Sequence, residues 1–405
     1  MDAVRAQGLR KNVSYTFWIQ ACMNARLFGA ISSLFYLHRG LSLSEILYLG
    51  IIWAIANTLT EVPSSYLADR WGRKKTIMLG VILGLLYWVF YFFADSFIIF
   101  AIGAALYGIN VAMMSGTDEA LLYDSAKELG EDGSHGLKHL SHYYSAKRFF
   151  KIITPIIAVL LAKDLLEWQF QLIIVLDICF TLIAAIFSLR LTEPQHTHDI
   201  EEQNAGILHD AVILIKKDHE ILYAIINRLL PFIASLMVWQ YSQVYYSSLG
   251  ISLLAIGIGW SLMQLGSYII SRYILPRISL PLEKTINRMT AMTTLMTVFF
   301  LLFAWLLPNP YILYSCFIFF AMLENTRNPL YSTYLNKKMK SFNRATSLSL
   351  TNICKSILEV PIMLIAALLI TKSMLYPYML ASLLCIITIV FFRMPKGAQI
   401  ASPNT

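Results

Sequence analysis

Twelve runs of about twenty mainly apolar residues recur along the chain, near 13–37, 44–67, 76–94, 97–122, 145–163, 168–189, 220–247, 252–274, 287–307, 311–335, 345–371 and 374–393. A bilayer core about 30 Å thick needs about 20 such residues per helix, and backbone polar groups inside it must be satisfied within the segment. The pattern therefore predicts an all-α integral membrane protein with twelve transmembrane helices. A transmembrane β-barrel would instead show alternating segments of about ten residues.

Composition agrees with that pattern. The 405 residues are 57% apolar and 14% charged, with a mean hydropathy of +0.61, whereas soluble domains carry about 25% charged residues. The net charge of +8 is explained by topology rather than by a nucleic-acid partner. Of the 32 Lys and Arg residues, 25 fall on alternate loops and both ends, three (Arg39, Lys163, Lys372) on the opposite side, and four (Arg26, Arg228, Arg327, Lys355) inside spans. Loops rich in Lys and Arg stay in the cytoplasm, so both termini are expected there. Compactness and short loops point to a bacterial inner (plasma) membrane. The five cysteines all lie within spans without paired spacing, which indicates neither a disulfide framework nor a zinc site. The first span carries Asn24 and Arg26 in its middle, unlike a cleavable signal, and is expected to be retained.

A polar stretch at 191–219 divides the chain nearly in half. It implies an N-terminal six-helix bundle at 1–190, a cytoplasmic linker, and a C-terminal six-helix bundle at 220–405. "NARLFGA" (Asn24, Arg26) recurs as "INRLLPF" (Asn227, Arg228) at an offset of about 202, and at 203 Glu61 aligns with Gln264 and Asp69 with Arg272. The bundles are thus expected to be pseudo-symmetric repeats. Seven of the eight histidines (His135, His139, His142, His196, His198, His209, His219) lie in this linker or in the loop after the fourth span. They read as solvated polar loop or as a regulatory metal site; no acidic or Cys partner stands at ligand spacing, so no metal ligand is assigned.

The strongest local motif is "SSYLADRWGRKKTIMLG", residues 64–80, between the second and third spans. Gly72 permits the turn, and Arg73, Lys74 and Lys75 suit anionic headgroups. Asp69 is a carboxylate at the end of a helix where cations are favoured, so it calls for a cation or a helix amino terminus as partner. This segment resembles the signature loop of the major facilitator superfamily, of the form G-x-x-x-D-R-x-G-R-K, and span number, topology and two-half organisation extend the resemblance over nearly the whole chain. The resemblance implies two six-helix bundles around a central cavity, lined mainly by helices 1, 4, 7 and 10, that opens alternately to either side, with one chain sufficing for transport. It also implies that Asp69, Arg70, Gly72, Arg73 and Lys74 form a gate latch. Ser65 replaces the first glycine of the pattern and is still small enough for close packing. Helix 4 lacks the arginine of many proton-coupled members, and helix 5, "RFFKIITPIIAVLLA", lacks the glycine-rich signature of drug/proton antiporters.

Ionisable residues inside the spans carry the candidate chemistry, because each costs about 2.5–3.5 kcal/mol at mid-bilayer on insertion scales. On the cavity helices implied by the resemblance these are Arg26 on helix 1, Asp118 and Glu119 on helix 4, Arg228 on helix 7, and Glu324 and Arg327 on helix 10. Proton coupling needs a carboxylate whose proton affinity changes with its surroundings; Glu61, Asp118, Glu119 and Glu324 are the candidates. The same acids could instead pair with cations to hold helices together, and Lys355 with Glu359 (i, i+4) is expected to be such a structural pair. Arg26 and Arg228, with Arg327, are candidates for binding an anionic substrate. Trp239 and Gln240, in "VWQYSQVYYSS", could stack on and hydrogen-bond a solute, or the aromatic residues could form an interfacial belt.

No P-loop, metal-ligand cluster or nucleophile motif is present in the sequence, so neither an enzyme nor an ATP-driven pump is expected, and no cofactor beyond a proton gradient. The expected function is secondary active, proton-coupled transport of a small organic solute (drug, metabolite or chelate) by alternating access. Export is favoured over uptake by resemblance to bacterial members with the E-V-P-x-x-x-L-A-D-R stretch (Glu61 to Arg70). The alternatives are an importer of a nutrient or siderophore-like chelate, and a non-transporting sensor that keeps the fold.

Overall fold

The computed structural model describes residues 2–130, 150–195, 219–278, 280–338 and 344–395. The loop after the fourth span and the linker beyond Gln195, with their histidines other than His219, lie outside the described residues. Among the described residues every regular element is helical. They are α1 (Ala3–Asn24), α2 (Ser32–His38), α3 (Leu43–Trp71), α4 (Arg73–Phe93), α5 (Phe97–Met114), α6 (Thr117–Glu128), α7 (Phe150–Leu161), α8 (Glu167–Leu189), α9 (His219–Trp239), α10 (Ser242–Ser248), α11 (Leu253–Ile269), α12 (Leu282–Leu306), α13 (Pro310–Lys338), α14 (Arg344–Ile370) and α15 (Tyr376–Phe391). Each predicted span thus has a helical counterpart, the first, fourth and seventh each made of two helices. Apolar side chains such as Leu59, Phe93 and Trp305 are 71%, 69% and 84% exposed, which is how a lipid-facing surface differs from a water-facing one.

The chain forms two compact units. The first comprises Met1–Ile200, Gln240–Gln264 and Met363–Thr371; the second comprises Glu201–Trp239, Leu265–Ile362 and Lys372–Thr405. In the first, α3 and α4 pack on α5, and α8 packs on α4 and α1. α3 starts with a capping box, in which the Ser42 hydroxyl accepts from Glu45 N (3.3 Å) while Ser42 N donates to the Glu45 carboxylate (2.7 Å). Such caps satisfy amide donors that the first helical turn leaves open. The α3–α5 approach is set by Gly108, where an added Cβ would stand 2.5 Å from Trp53 O and 2.9 Å from Asn57 N. The Asn57 carboxamide donates to Gly108 O at 3.2 Å.

The second unit packs α12 on α13 and α9 on α15, around Ile221, Ile225, Leu229, Ile233, Ile286 and Tyr331. A charged network sits inside this core. Arg327, 0% exposed, donates to the Glu324 carboxylate at 2.5 Å, to Asn227 O at 2.8 Å, to Asn227 Oδ1 and Thr290 Oγ1 at 3.0 Å, and to the Tyr331 hydroxyl. Asn227 in turn donates to Phe392 O at 2.6 Å, so α9, α12, α13 and the end of α15 are tied through one guanidinium.

The stretch 31–43 recurs in backbone form at 241–253, in a different register from the Asn-Arg match. α2 and α10 are seven residues each, entered through Ile31 (φ −131°, ψ 4°) and Tyr241 (φ −122°, ψ 6°) and followed by Gly40 (φ 84°) and Gly250 (φ 86°). Leu43 and Leu253 then open α3 and α11. All of these correspond at an offset of 210, about two helical turns from the offset of about 202. The turn glycines fix this register because positive φ admits few other residues, whereas a short polar match inside a helix can slide.

Gly108→Val should cost about 1–3 kcal/mol, as overpacking against backbone does, read as a lowered unfolding temperature in detergent; an unchanged value would show that α3 and α5 can separate freely. Arg327→Met, which strands the buried Glu324, should cost about 3–5 kcal/mol. Adding Glu324→Leu should recover much of that loss, and a double variant less stable than the single would contradict the pairing.

Candidate functional site

The signature loop is held from several sides. Gly72 (φ 109°) joins α3 to α4. Arg73 pairs with Asp69 at 2.8 Å and approaches Asp124 at 3.5 Å, so Asp69 meets a cation. The amino terminus of α4 is served by Glu193, whose two carboxylate oxygens accept from Arg73 N and Lys74 N, both at 2.7 Å. An anion at this position compensates open amides and the helix dipole. A Cβ on Gly72 would come within 3.0 Å of that carboxyl group. Arg70 is exposed and donates to the Tyr66 hydroxyl at 3.0 Å. Residues 191–195 continue as a strap: Asn12 exchanges two hydrogen bonds with Thr192 (2.8 and 2.9 Å), and Arg5 bonds Glu128 (2.5 Å) and Glu193 O (3.1 Å). Sequence reasoning did not single out Glu193, though it is the first carboxylate after the sixth span.

The polar centre of the first unit lies where two spans are interrupted. α1 stops at Asn24 and regular α-helix resumes only at Ser32, with a single 3-10 turn, Phe28–Ala30, between. α5 stops at Met114, and α6 begins at Thr117 after Gly116 (φ 75°). Asp118, in the first turn of α6 and 1% exposed, accepts from Gln20 Nε2 at 2.5 Å and from Glu119 N at 2.9 Å. Asn24 donates to Gln20 Oε1 at 3.1 Å. Arg26, two residues on, is partly buried; its Nε donates to Met23 O at 3.1 Å and its guanidinium lies 4.0 Å from the centre of the Tyr107 ring. A cation over an aromatic face gains about 0.5–2 kcal/mol, more when desolvated. Tyr107 stacks on Tyr87 at 5.1 Å. Asn24, Gln20 and Asp118 are thus joined in one hydrogen-bonded chain, with Arg26 two residues beyond Asn24. Glu119 and Glu61 are both partly exposed; Glu61 stands on α3, where its carbonyl accepts from Ser64 and Ser65.

A residue that sequence reasoning missed completes this centre. Asp177, 2% exposed and near the middle of α8, accepts from Leu27 N at 3.0 Å and Phe28 N at 2.9 Å, inside the interrupted stretch. Its signal was present, since it is a lone carboxylate in the apolar run "QLIIVLDICFTLIAAIF".

The helix 7 residues serve the same stretch. The Gln243 carboxamide, 1% exposed, donates to Gly29 O at 2.9 Å and accepts from Ser33 N at 3.1 Å. The Ser33 hydroxyl donates to Gln240 O. The Gln240 side chain lies against Gly50 and fills the space that a Cβ there would need. Trp239 is partly buried. Tyr245 and Tyr246 are only 8% and 0% exposed, so these two do not form an interfacial belt.

In the second unit Arg228 is partly buried, with Nε donating to Asn328 Oδ1 at 3.3 Å. Arg327, expected among the substrate-binding residues, is enclosed in the core network, and Glu324 is its ion partner there; neither presents a face to a solute. Lys355 and Glu359 form an ion pair at 3.4 Å, and the Lys355 ammonium lies 5.5 Å from the Phe232 ring centre.

Known proteins share this architecture. The sequence profile of the Major Facilitator Superfamily matches residues 16–360. An uncharacterised MFS-type transporter of Bacillus subtilis (strain 168), YxaM, is 24% identical over 356 residues, covering 84% of each chain. Among solved structures, the nucleoside transporter NupG superposes with a TM-score of 0.72 at 14% identity, covering 95% of this chain and 98% of that one. A D-xylose-proton symporter gives 0.73 at 13% identity, covering 97% and 98%. A bacterial homologue of the iron transporter ferroportin, in an inward-facing state, also gives 0.73 at 13% identity with the same coverage. At these identities the structural likeness is one of fold. With the profile spanning most of its length, the chain belongs to the Major Facilitator Superfamily, as a multi-pass membrane secondary transporter and not an enzyme.

Proposed function

We propose that this transporter moves a small organic anion together with protons across a bacterial inner membrane, as a monomer with both termini cytoplasmic. The observation that carries the reading is Arg26, partly buried and held on Tyr107 in a non-helical stretch of helix 1, two residues beyond an Asn24–Gln20–Asp118 hydrogen-bonded chain. A guanidinium recognises carboxylate or phosphate through paired hydrogen bonds, and the tyrosine face suits a flat organic group. Arg228 is the corresponding cation candidate of the second unit.

The two charges bear on direction: the anion binds at Arg26 while Asp118 carries the proton. Anion and proton then load together, which is symport and drives uptake under an inward proton gradient. This favours uptake over the export suggested by family resemblance alone. Glu61 and Glu119 remain further coupling candidates.

The test uses purified protein in proteoliposomes with an internal pH dye, an imposed proton gradient, and a panel of carboxylates, organic phosphates and cationic drugs. Proton entry accompanying uptake of one anion class is expected; proton entry driven by loss of internal compound would establish antiport, and a response confined to cations would remove the anion reading. Arg26→Ala should raise the half-saturation concentration of the transported anion at least tenfold, about 1.4 kcal/mol, with Arg26→Lys intermediate. Asp118→Asn should abolish proton-driven accumulation while leaving counterflow exchange; undiminished accumulation would remove Asp118 from coupling.

A further inference from the structure

Every backbone group of an interrupted membrane helix needs a partner, because no water serves it in the apolar core. Most amides around residues 25–31 have identifiable partners. Ala25 N donates to Cys22 O at 3.1 Å, and the Asn24 carboxamide to Gln20 O at 2.8 Å. Met23 O accepts Arg26 Nε at 3.1 Å. Leu27 N and Phe28 N go to the two carboxylate oxygens of Asp177. Ala30 N and Ile31 N return to Leu27 O and Phe28 O, and Ser33 N goes to Gln243.

One acceptor in this stretch has two possible users. In a continuous α-helix each amide bonds the carbonyl four residues back, so Leu27 N would take Met23 O and Phe28 N would take Asn24 O. Met23 O is instead held by Arg26. The Leu27 amide can leave that carbonyl to Arg26 because Asp177 supplies another acceptor.

We infer that Asp177 is the positioning residue for Arg26: by drawing the Leu27 and Phe28 amides away from the end of α1, it keeps Met23 O open to anchor the guanidinium that meets the anion. Asp177 and Arg26 also interact through charge; the exchange of backbone bonds adds to that attraction, and neither effect needs Asp177 to touch the solute. The carboxylate is used on both oxygens, which an amide cannot imitate, since one of its two polar atoms is a donor. This inference rests on the reading of Arg26 as an anion-binding residue.

The experiment compares the transported anion's half-saturation concentration and maximal rate in proteoliposomes, with backbone amide exchange of 25–31 in the full-length protein measured in parallel. Asp177→Asn should raise half-saturation to the level of Arg26→Ala, and the double variant should be no worse than Arg26→Ala alone. Protection at Leu27 should rise as its amide takes Met23 O. Leu27→Pro added to Asp177→Asn should restore the part of the affinity lost through the backbone, and no recovery would overturn the inference: proline has no amide to compete for Met23 O, and Leu27 already has φ −68°, within the range of proline. The Phe28 amide keeps the one oxygen that the substituted carboxamide still offers. Additive losses in the double variant, or a loss of maximal rate and folded protein at unchanged affinity, would overturn the inference. Should Arg26→Ala leave affinity unchanged, the anion reading fails on its own. The amide data then still decide Asp177: added protection at Leu27 upholds its hold on the interruption, and unchanged exchange refutes it.

Discussion

A peptide group in the apolar core of a bilayer must find its partner inside the protein, at a cost of several kcal/mol if it does not. That constraint makes the spans helical and makes each interruption informative. In this protein the interruptions carry substitutes for the bonds they lose. Asp177 and Gln243 serve the stretch after α1. At the start of α6 the Asp118 carboxylate takes the Glu119 amide, where negative charge also suits the helix dipole. The bends place Arg26 and Asp118, the two charges that the functional reading needs, at positions a straight helix would not give them.

Buried charges in this chain fall into two kinds, distinguished by what is left over after pairing. Arg327 spends its guanidinium on a carboxylate and several oxygens of its own unit and is 0% exposed. It acts as a knot among helices. Arg26 makes one hydrogen bond to its own chain and rests on an aromatic face while remaining partly exposed, so hydrogen-bonding capacity remains for a solute. Lys355 with Glu359 belongs with the first kind in that its partner is local and buried.

At the basic end, the signature loop depends on a residue far away in sequence. Glu193 caps α4 through two amides, while its own carbonyl is held by Arg5 and its neighbour Thr192 by Asn12. The loop is therefore stiffened by the segment that follows the sixth span as well as by the Asp69 and Arg73 pair within it. Shape adds to this, because the Gly72 turn leaves room for the Glu193 carboxyl group and a side chain there would not.

The amino-acid sequence alone determined the membrane class, the helical character and the family, because these rest on local composition, length and short motifs. Periodicity and loop glycines such as Gly72 are properties of neighbouring residues, and neighbours are what a sequence displays. The tertiary structure alone decided which of several similar charges are enclosed and which are partly exposed. Arg26 and Arg327 look alike as single cations in apolar runs, yet one is partly exposed and the other enclosed, since Asn227, Thr290 and Glu324 come from separate helices. Asp177 was visible as a lone carboxylate, but its role depends on meeting Leu27 and Phe28 across about 150 residues of chain, with the helix it serves broken. A hydrogen bond depends on angstroms between folded segments, and that distance is set by packing of the whole unit rather than by spacing along the chain.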